Sequence, residues 1–420
     1  MKNTERIRTA MLVLHRWTGL AMAGFLVLVG LTGSVLAFRS KLDRLVNPEL
    51  YVKAQPGQKP LDLATLAERA EQLAPESRVG YFWLDPERAT MSMTPRVNQA
   101  TGKPNQSSFD HLILDPYSGR ELGRYRMGDL AQGRVNFLPF IYDLHTSLAT
   151  RSQVCWTIVG SVALLWTFDC LVAFWLTLPR GSGPFWQRWQ QAWRVKWGAS
   201  GTRVNFDLHR AGGLWLWPLL FVFGWSSVML GLRPVYERVT QNVFDYESDG
   251  DIFAKFTLPS PVEHPHLGWR AAQQAGERLM AEQAALHHFT VTRPYGLAYI
   301  PEYGLYTYGV RSSLDIRGNG WDTSIFVDGN TGELRELGLP STQHLGNTIS
   351  TWLWGIHYAD LRDSLSFRIF ISAFGLLVAT LSTTGVLIWW KKRAARKLKA
   401  SRSPGLPLFA QPNAETTTES

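Results

Sequence analysis

Long apolar runs alternate with ordinary amphipathic sequence along this chain. Four runs, at about residues 11–38, 154–178, 209–232 and 369–390, are long enough to cross a bilayer as helices, which takes roughly 20 residues. The segments between them have other periods. LDLATLAERAEQLA, at residues 61–74, sets its apolar positions at helical spacing. RVGYFWL, ATMSMTP and FDHLIL then read as strands, and residues 115–119 (DPYSG) as a turn. Residues 234–345 follow the same plan, with a helix (WRAAQQAGERLMAEQAAL), several strands and a turn at residues 328–332 (DGNTG) of matching spacing.

The plan is repeated because the chain is. Residues 15–39 and 209–233 both open on His-Arg (His15-Arg16 and His209-Arg210). Both carry a glycine fifteen positions on (Gly30, Gly224), then a hydroxyl (Thr32, Ser226), and both close on an arginine (Arg39, Arg233). The second and fourth runs align as well: Gly160, Asp169 and Trp175 match Gly375, Thr384 and Trp390 at identical offsets. Spacing kept this closely points to internal duplication. The expected fold is therefore a membrane α-helical protein of four transmembrane helices with two outer α+β segments.

Charge orients it. The formal net charge is +9, and the Lys and Arg cluster beside the apolar runs, as membrane topology requires, and not in a nucleic-acid-binding patch. Residues 179–205 hold Arg180, Arg188, Arg194, Lys196 and Arg203 and no acid, which places this loop in the cytoplasm. Lys2, Arg6 and Arg8 before the first run, and Lys391, Lys392, Arg393, Arg396 and Lys397 after the last, place both termini there too. The first run is too long for a signal peptide's apolar stretch and its histidine recurs in mid-chain, so it reads as an uncleaved helix. The expected divisions are a first transmembrane helix (1–39), an outer segment (40–138), an outer short helix with the second span (139–178), a basic cytoplasmic loop (179–208) and a third span (209–233). A second outer segment (234–348), a short helix with the fourth span (349–390) and a basic, disordered tail (391–420) complete them.

Composition removes several chemistries. Cys155 and Cys170 fall fifteen residues apart on one helix, about 22 Å, so they form no intrachain disulfide. There is no C-x-x-C-H, Walker A loop or G-x-G-x-x-G after a strand. Two cysteines do not hold a four-thiolate iron–sulfur cluster.

Histidine carries the remaining signal. His15 and His209 fall at the cytoplasmic mouths of spans one and three; His145 (in YDLHTSL) and His357 (in WGIHYADL) fall at or above the outer ends of spans two and four. Topology sorts them into an inner pair, His15 with His209, and an outer pair, His145 with His357. Two imidazoles facing across a pseudo-two-fold axis can ligate one haem iron from both sides, and one haem near each face gives an electron path across the membrane. The rival readings are interfacial anchors for single histidines and di-metal sites, the latter lacking an acidic cluster to complete a ligand set. Asp169, inside the second span, is a costly carboxylate that accepts a hydrogen bond, passes protons or pairs with a neighbouring hydroxyl. Arg16 and Arg210 suit haem propionates or lipid phosphates. His111, His264, His266, His287, His288 and His344 read as ordinary outer residues. The tyrosine-rich run RPYGLAYIPEYGLYTYGVR reads as a sheet face before a binding wall.

HRWTG and HRAGG opening two spans, LHTSL and IHYAD before the other two, and the D-x-x-[ST]-G turns together make the sequence resemble the PepSY-associated transmembrane family over nearly its whole length. Within it the likeness is to bacterial inner-membrane ferric-siderophore (ferrioxamine-type) reductases. That resemblance implies two periplasmic PepSY-like domains, two non-covalent haem b groups with His15, His209, His145 and His357 as axial ligands, and a ferric siderophore as substrate. No NADPH-binding module follows, so the electron donor is a separate molecule on the cytoplasmic side. Two alternatives stand beside this one: a haem-bearing electron-transfer subunit for a partner oxidoreductase, and a haem-free membrane-anchored binding or regulatory protein.

Overall fold

The computed structural model describes residues 2–54, 57–98 and 100–402. The first half opens with helix α1 (Lys2–Leu36), continuous from its charged first turns through the whole apolar run. Helix α2 (Arg39–Val46) leads outward to α3 (Leu63–Leu73), which starts where the Asp62 side chain accepts the Thr65 N–H at 2.8 Å. Four strands follow, β1 (Ser77–Asp85), β2 (Arg88–Pro95), β3 (His111–Leu114) and β4 (Glu121–Tyr125). Helix α4 (Phe137–Ser147) then returns toward the bundle, and α5 (Gln153–Thr177), capped by Ser152, crosses back.

The short α6 (Phe185–Trp189) lies in the basic loop before the second half begins with α7 (Gly201–Gly231). Helices α8 (Arg233–Val243) and α9 (Asp249–Ala254), the latter opened by a Ser248–Asp251 capping box, lead to α10 (Trp269–Leu286). Strands β5 (Val291–Ile300), β6 (Leu305–Ser312), β7 (Thr323–Asp328) and β8 (Leu334–Gly338) precede α11 (Leu345–His357) and α12 (Leu365–Arg402). Residues 391–402, expected as part of a disordered tail (391–420), continue α12 as helix, and residues 403–420 lie outside the described residues.

Four helices, α1, α5, α7 and α12, are long and apolar enough to cross a membrane. They form a ring in which α1 packs on α12 and α5, and α7 on α5 and α12, so α1 and α7 occupy one diagonal. Glycines set the crossings. A Cβ on Gly30 would lie 2.6 Å from the Gly375 carbonyl oxygen, and one on Gly160 would lie 2.6 Å from the Gly231 backbone, so the paired helices meet backbone to backbone. The outer flank carries exposed Trp17, Leu31, Phe168, Leu171, Phe370 and Leu376, the apolar surface that lipid requires.

Outside the bundle, the two α+β segments share one antiparallel sheet of order β4-β3-β2-β1-β5-β6-β7-β8. The join is the β1–β5 pair, with Tyr81 opposite Ala298, Phe82 opposite Leu297 and Trp83 opposite Gly296. Alternation puts Phe82, Met91, Leu112, Leu297, Tyr308, Val310 and Ile325 on one face, where they pack with Leu66, Ala70 and Met280 of α3 and α10. Tyr299, Tyr306 and Tyr308 of the tyrosine-rich run belong to this core, and two of their hydroxyls are spent on the carbonyls of Val262 and Leu267. The two expected turns match in detail: Asp115 accepts the Tyr117 and Ser118 N–H groups, Asp328 accepts those of Asn330 and Thr331, and each turn ends on a glycine at positive φ (68° and 74°). The sheet is anchored to the bundle by Arg88 on Asp43 of α2 and by the Gly318 N–H on the Asp360 carbonyl beyond α11.

Candidate functional site: two stacked histidine pairs

The four repeat-related histidines meet in the two pairs that topology suggests. His15 of α1 and His209 of α7 face across the diagonal with ring centroids 6.2 Å apart; His145 of α4 and His357 of α11 stand 6.3 Å apart. The first pair lies toward the basic loop and the second toward the sheet.

Each ring is held at Nδ1. His15 Nδ1 is 2.9 Å from both Asp169 oxygens, and the carboxylate accepts. His209 Nδ1 lies 3.1 Å from the Leu381 carbonyl oxygen and 3.0 Å from Thr384 Oγ1. His145 Nδ1 is 2.9 Å from Thr32 Oγ1, and His357 Nδ1 is 2.9 Å from Ser226 Oγ. The three hydroxyls already donate their single hydrogen within their own helices, to the carbonyls of Leu28 (Thr32), Phe223 (Ser226) and Leu381 (Thr384). They are therefore acceptors toward the rings, and so are a carboxylate and a carbonyl. Nδ1 is thus the protein-held nitrogen of all four rings, and no hydrogen bond to their Nε2 atoms occurs among the described residues.

Depth departs from the sequence-based expectation. His145 and His357 were expected at or above the outer ends of the spans, on short outer helices ahead of spans two and four. The short helices α4 and α11 are there, but the chain doubles back after each, at corners built from non-glycine residues at positive φ: Leu148, Ala149 and Arg151 in one half, Ala359, Arg362 and Asp363 in the other. Asp143 holds the first corner by accepting Arg151 Nε at 2.7 Å. The rings consequently sit level with Thr32 and Ser226, inside the ends of α1 and α7. Helix α7 begins at Gly201, eight residues before His209. In both halves the outer hydroxyl follows the inner histidine by seventeen residues (15 to 32, 209 to 226), about 25 Å of helix between the two levels.

The sheet-end pair opens into an apolar cavity lined by Phe25, Val29, Gly33, Trp166, Phe223 and Phe374. Gly33 makes room for the ring, since a Cβ there would come 3.2 Å from His145 Cε1; Gly385 does the same for His209 at 3.0 Å. The rim is polar and basic, with Arg39, Tyr142, Arg233 and Tyr358. Arg39 stacks over Tyr142 with 5.1 Å to the ring centroid, and Arg233 pairs with Glu237 and Asp249. Of the two arginines singled out beside the inner histidines, Arg210 is committed to the carbonyls of Gln191, Ala192 and Arg194 and to Asp207. Arg16 stacks on Trp17 and keeps a buried Nε without a partner. Asp169 meets His15 and the Thr18 hydroxyl at 3.1 Å. His111 is tied to Asp110 and stacked on Tyr125, and His344 is tied to Asp245, both far from the pairs.

The spacing decides what can sit between the rings. A metal bound to both needs two bonds of about 2 Å and two ring half-widths of about 1 Å, about 6 Å between centroids. Among the described residues no group of three or more His, Cys, Asp or Glu side chains could hold a metal ion, so each pair offers two axial nitrogens and nothing equatorial. A macrocycle that brings four nitrogens of its own fits that donor set, and an apolar cavity with an arginine rim fits an apolar ring with carboxylate arms.

Residues that sequence reading did not single out for the site are Gly33, Gly385, the Leu381 carbonyl and the rim side chains Tyr142 and Tyr358. Thr32, Ser226, Thr384, Arg39 and Arg233 stood in the repeat alignment, and that alignment was their signal.

The model of the PepSY-associated TM region matches residues 12–392. Compared with curated proteins, the chain finds no significant match.

Proposed function

For a chain that belongs to the PepSY-associated TM region family, we propose the function of a transmembrane dihaem b electron-transfer protein that reduces a ferric siderophore. The observation that carries this reading is the pair of repeat-related histidine couples, 6.2 and 6.3 Å apart, with every Nδ1 engaged and no Nε2 hydrogen-bonded among the described residues. His15 and His209 would hold one haem and His145 and His357 the other, with Arg39, Arg233 and Arg16 placed to receive propionates. Such groups, when bound, supply one-electron centres at two depths. The protein fixes ring orientation through Asp169, Thr384, Thr32 and Ser226, excludes water with Phe223, Phe374 and Trp166, and spaces the two levels by the same length of helix in each half.

The basic loop and both termini are assigned to the cytoplasmic side of a bacterial inner membrane and the sheet to the periplasm. Electrons then enter from a separate cytoplasmic-side donor and leave toward a substrate beneath the sheet. Siderophores grip Fe(III) through hard oxygen donors; one electron converts it to Fe(II), which such donors hold less well, and the iron is released. That chemistry needs no acid–base residue.

The test is the absorption spectrum of detergent-purified protein, oxidised and dithionite-reduced, with haem quantified per chain. Two b-type haems, and reoxidation of the reduced protein by ferric siderophore, are expected. Two haems without reoxidation would point to a subunit serving a partner oxidoreductase. No Soret band after expression with ample haem would leave a haem-free binding protein.

A further inference from the structure

The duplication makes the four histidine sites near copies of one another, with one exception. Thr32 and Ser226 are repeat mates and both accept Nδ1 of the sheet-end rings. Asp169 and Thr384 are repeat mates too, but one is a carboxylate and the other a hydroxyl. Asp169 is buried at 7% exposure, and among the described residues its polar side-chain partners are His15 and the Thr18 hydroxyl, with no Lys or Arg beside it. The one carboxylate among the four Nδ1 sites therefore serves one ring of the basic-end pair. A buried carboxylate is costly, and in the other half the ring is held instead by the Thr384 hydroxyl together with the Leu381 carbonyl.

We infer that Asp169 makes the basic-end pair the lower-potential of two one-electron sites, so that an electron entering there falls toward the sheet end. The inference rests on the dihaem reading above. A carboxylate that accepts the Nδ1 hydrogen raises the donor strength of the Nε2 lone pair. The stronger ligand and the nearby negative charge both favour iron(III), which carries one more positive charge than iron(II). The hydroxyls of Thr32 and Ser226 bring no net charge to the other pair. With both groups bound the transfer would balance: one electron would leave the site held by His15 and His209, whose iron would go from II to III, and would reduce the iron held by His145 and His357 from III to II. The first electron is supplied by a one-electron reductant at the basic end, for which dithionite stands in experimentally. Asp169 is on this account a positioning residue that acts through His15.

Potentiometric titration of the full-length holoprotein tests it, followed in the α-band. His145→Ala leaves only the basic-end site and His15→Ala only the sheet-end site, which assigns the two waves. The basic-end midpoint should lie below the sheet-end one. Asp169→Asn should raise the basic-end midpoint and leave the sheet-end wave in place, and Thr384→Asp should lower the basic-end midpoint further. A basic-end wave at or above the sheet-end wave in the unaltered protein overturns the inference, as does an Asp169→Asn protein whose midpoint does not move. If Asp169→Asn loses the group, the order of the unaltered waves and the Thr384→Asp shift decide instead. Absence of any Soret absorbance overturns the dihaem reading beneath; two intact haems with midpoints indifferent to residues 169 and 384 overturn this inference alone.

Discussion

The two histidine pairs are near equals in spacing and opposites in how they are delivered. His15 and His209 ride on α1 and α7, so their separation is fixed by the packing of the long helices themselves. His145 and His357 ride on α4 and α11, short helices turned back by left-handed corners and tied to spans they do not belong to, through Thr32 and Ser226. The first pair is a property of the bundle. The second is a property of the bundle, the corners and the sheet anchored above them, and it is the one that opens to a cavity. Local backbone strain of this kind persists only where the surroundings over-determine it, and here the surroundings hold a ring at the mouth of a site.

The comparison breaks most completely at the rings. On the dihaem reading, His145→Ala or His357→Ala should remove only the sheet-end haem, and His15→Ala or His209→Ala only the basic-end one, so haem per chain would fall from two to one with the other spectrum retained. Loss of both spectra from one substitution in a folded protein would contradict the two-level arrangement. Next comes the bundle common to both. Gly375→Leu places its side chain against Gly30 and Ser34 and should lower the thermal midpoint in detergent by overpacking worth about 1–3 kcal/mol or more, whereas Gly19→Ala, with nothing within 4 Å of its added Cβ, should be neutral.

The corner beyond α11 should add a pH dependence to stability. Burial raises the Asp360 carboxyl to about 6, against the opposing pull of the Asn319 N–H, Arg368 and Arg317. Between its usual range near 4 and that value the folded state holds a proton that the unfolded chain has lost. Stability therefore falls as pH rises through this window, by up to about 3 kcal/mol, and levels off above it. Thermal melts from pH 4 to 7 should show this slope, and Asp360→Asn should flatten it. The smallest effect belongs to the hydroxyls: Thr32→Val removes one acceptor from His145 and should weaken haem retention at the sheet end by about 1 kcal/mol, with the basic-end spectrum unmoved.

The features legible in the sequence were those written twice. The spans, the two D-x-x-[ST]-G turns, the histidine quartet and the alignment of Asp169 with Thr384 all came from offsets that two copies share. Where the chain reverses was not legible. Leu148, Ala149 and Arg151 are ordinary helix-compatible residues, and only tertiary ties such as Arg151 on Asp143 hold them at positive φ. The early start of α7 was hidden because residues 201–208 are polar, and a hydropathy run marks where apolar sequence starts, not where helix does. The join of β1 to β5 was hidden too. Each strand alternates correctly on its own, and nothing local says that its partner lies some two hundred residues away.

That join lies on a symmetry axis. The strand order is unchanged when β1 is exchanged for β5, β2 for β6, β3 for β7 and β4 for β8, and the middle pair runs antiparallel, as a two-fold axis through the sheet demands. The same axis passes between His15 and His209 and between His145 and His357. This is the geometry of an isologous dimer, in which the same patch of each subunit meets its own copy. The β1–β5 seam falls where such an interface would lie, and the basic loop joins the two halves across it. Because one chain carries both halves, residues 169 and 384 can differ where two identical subunits would have to match.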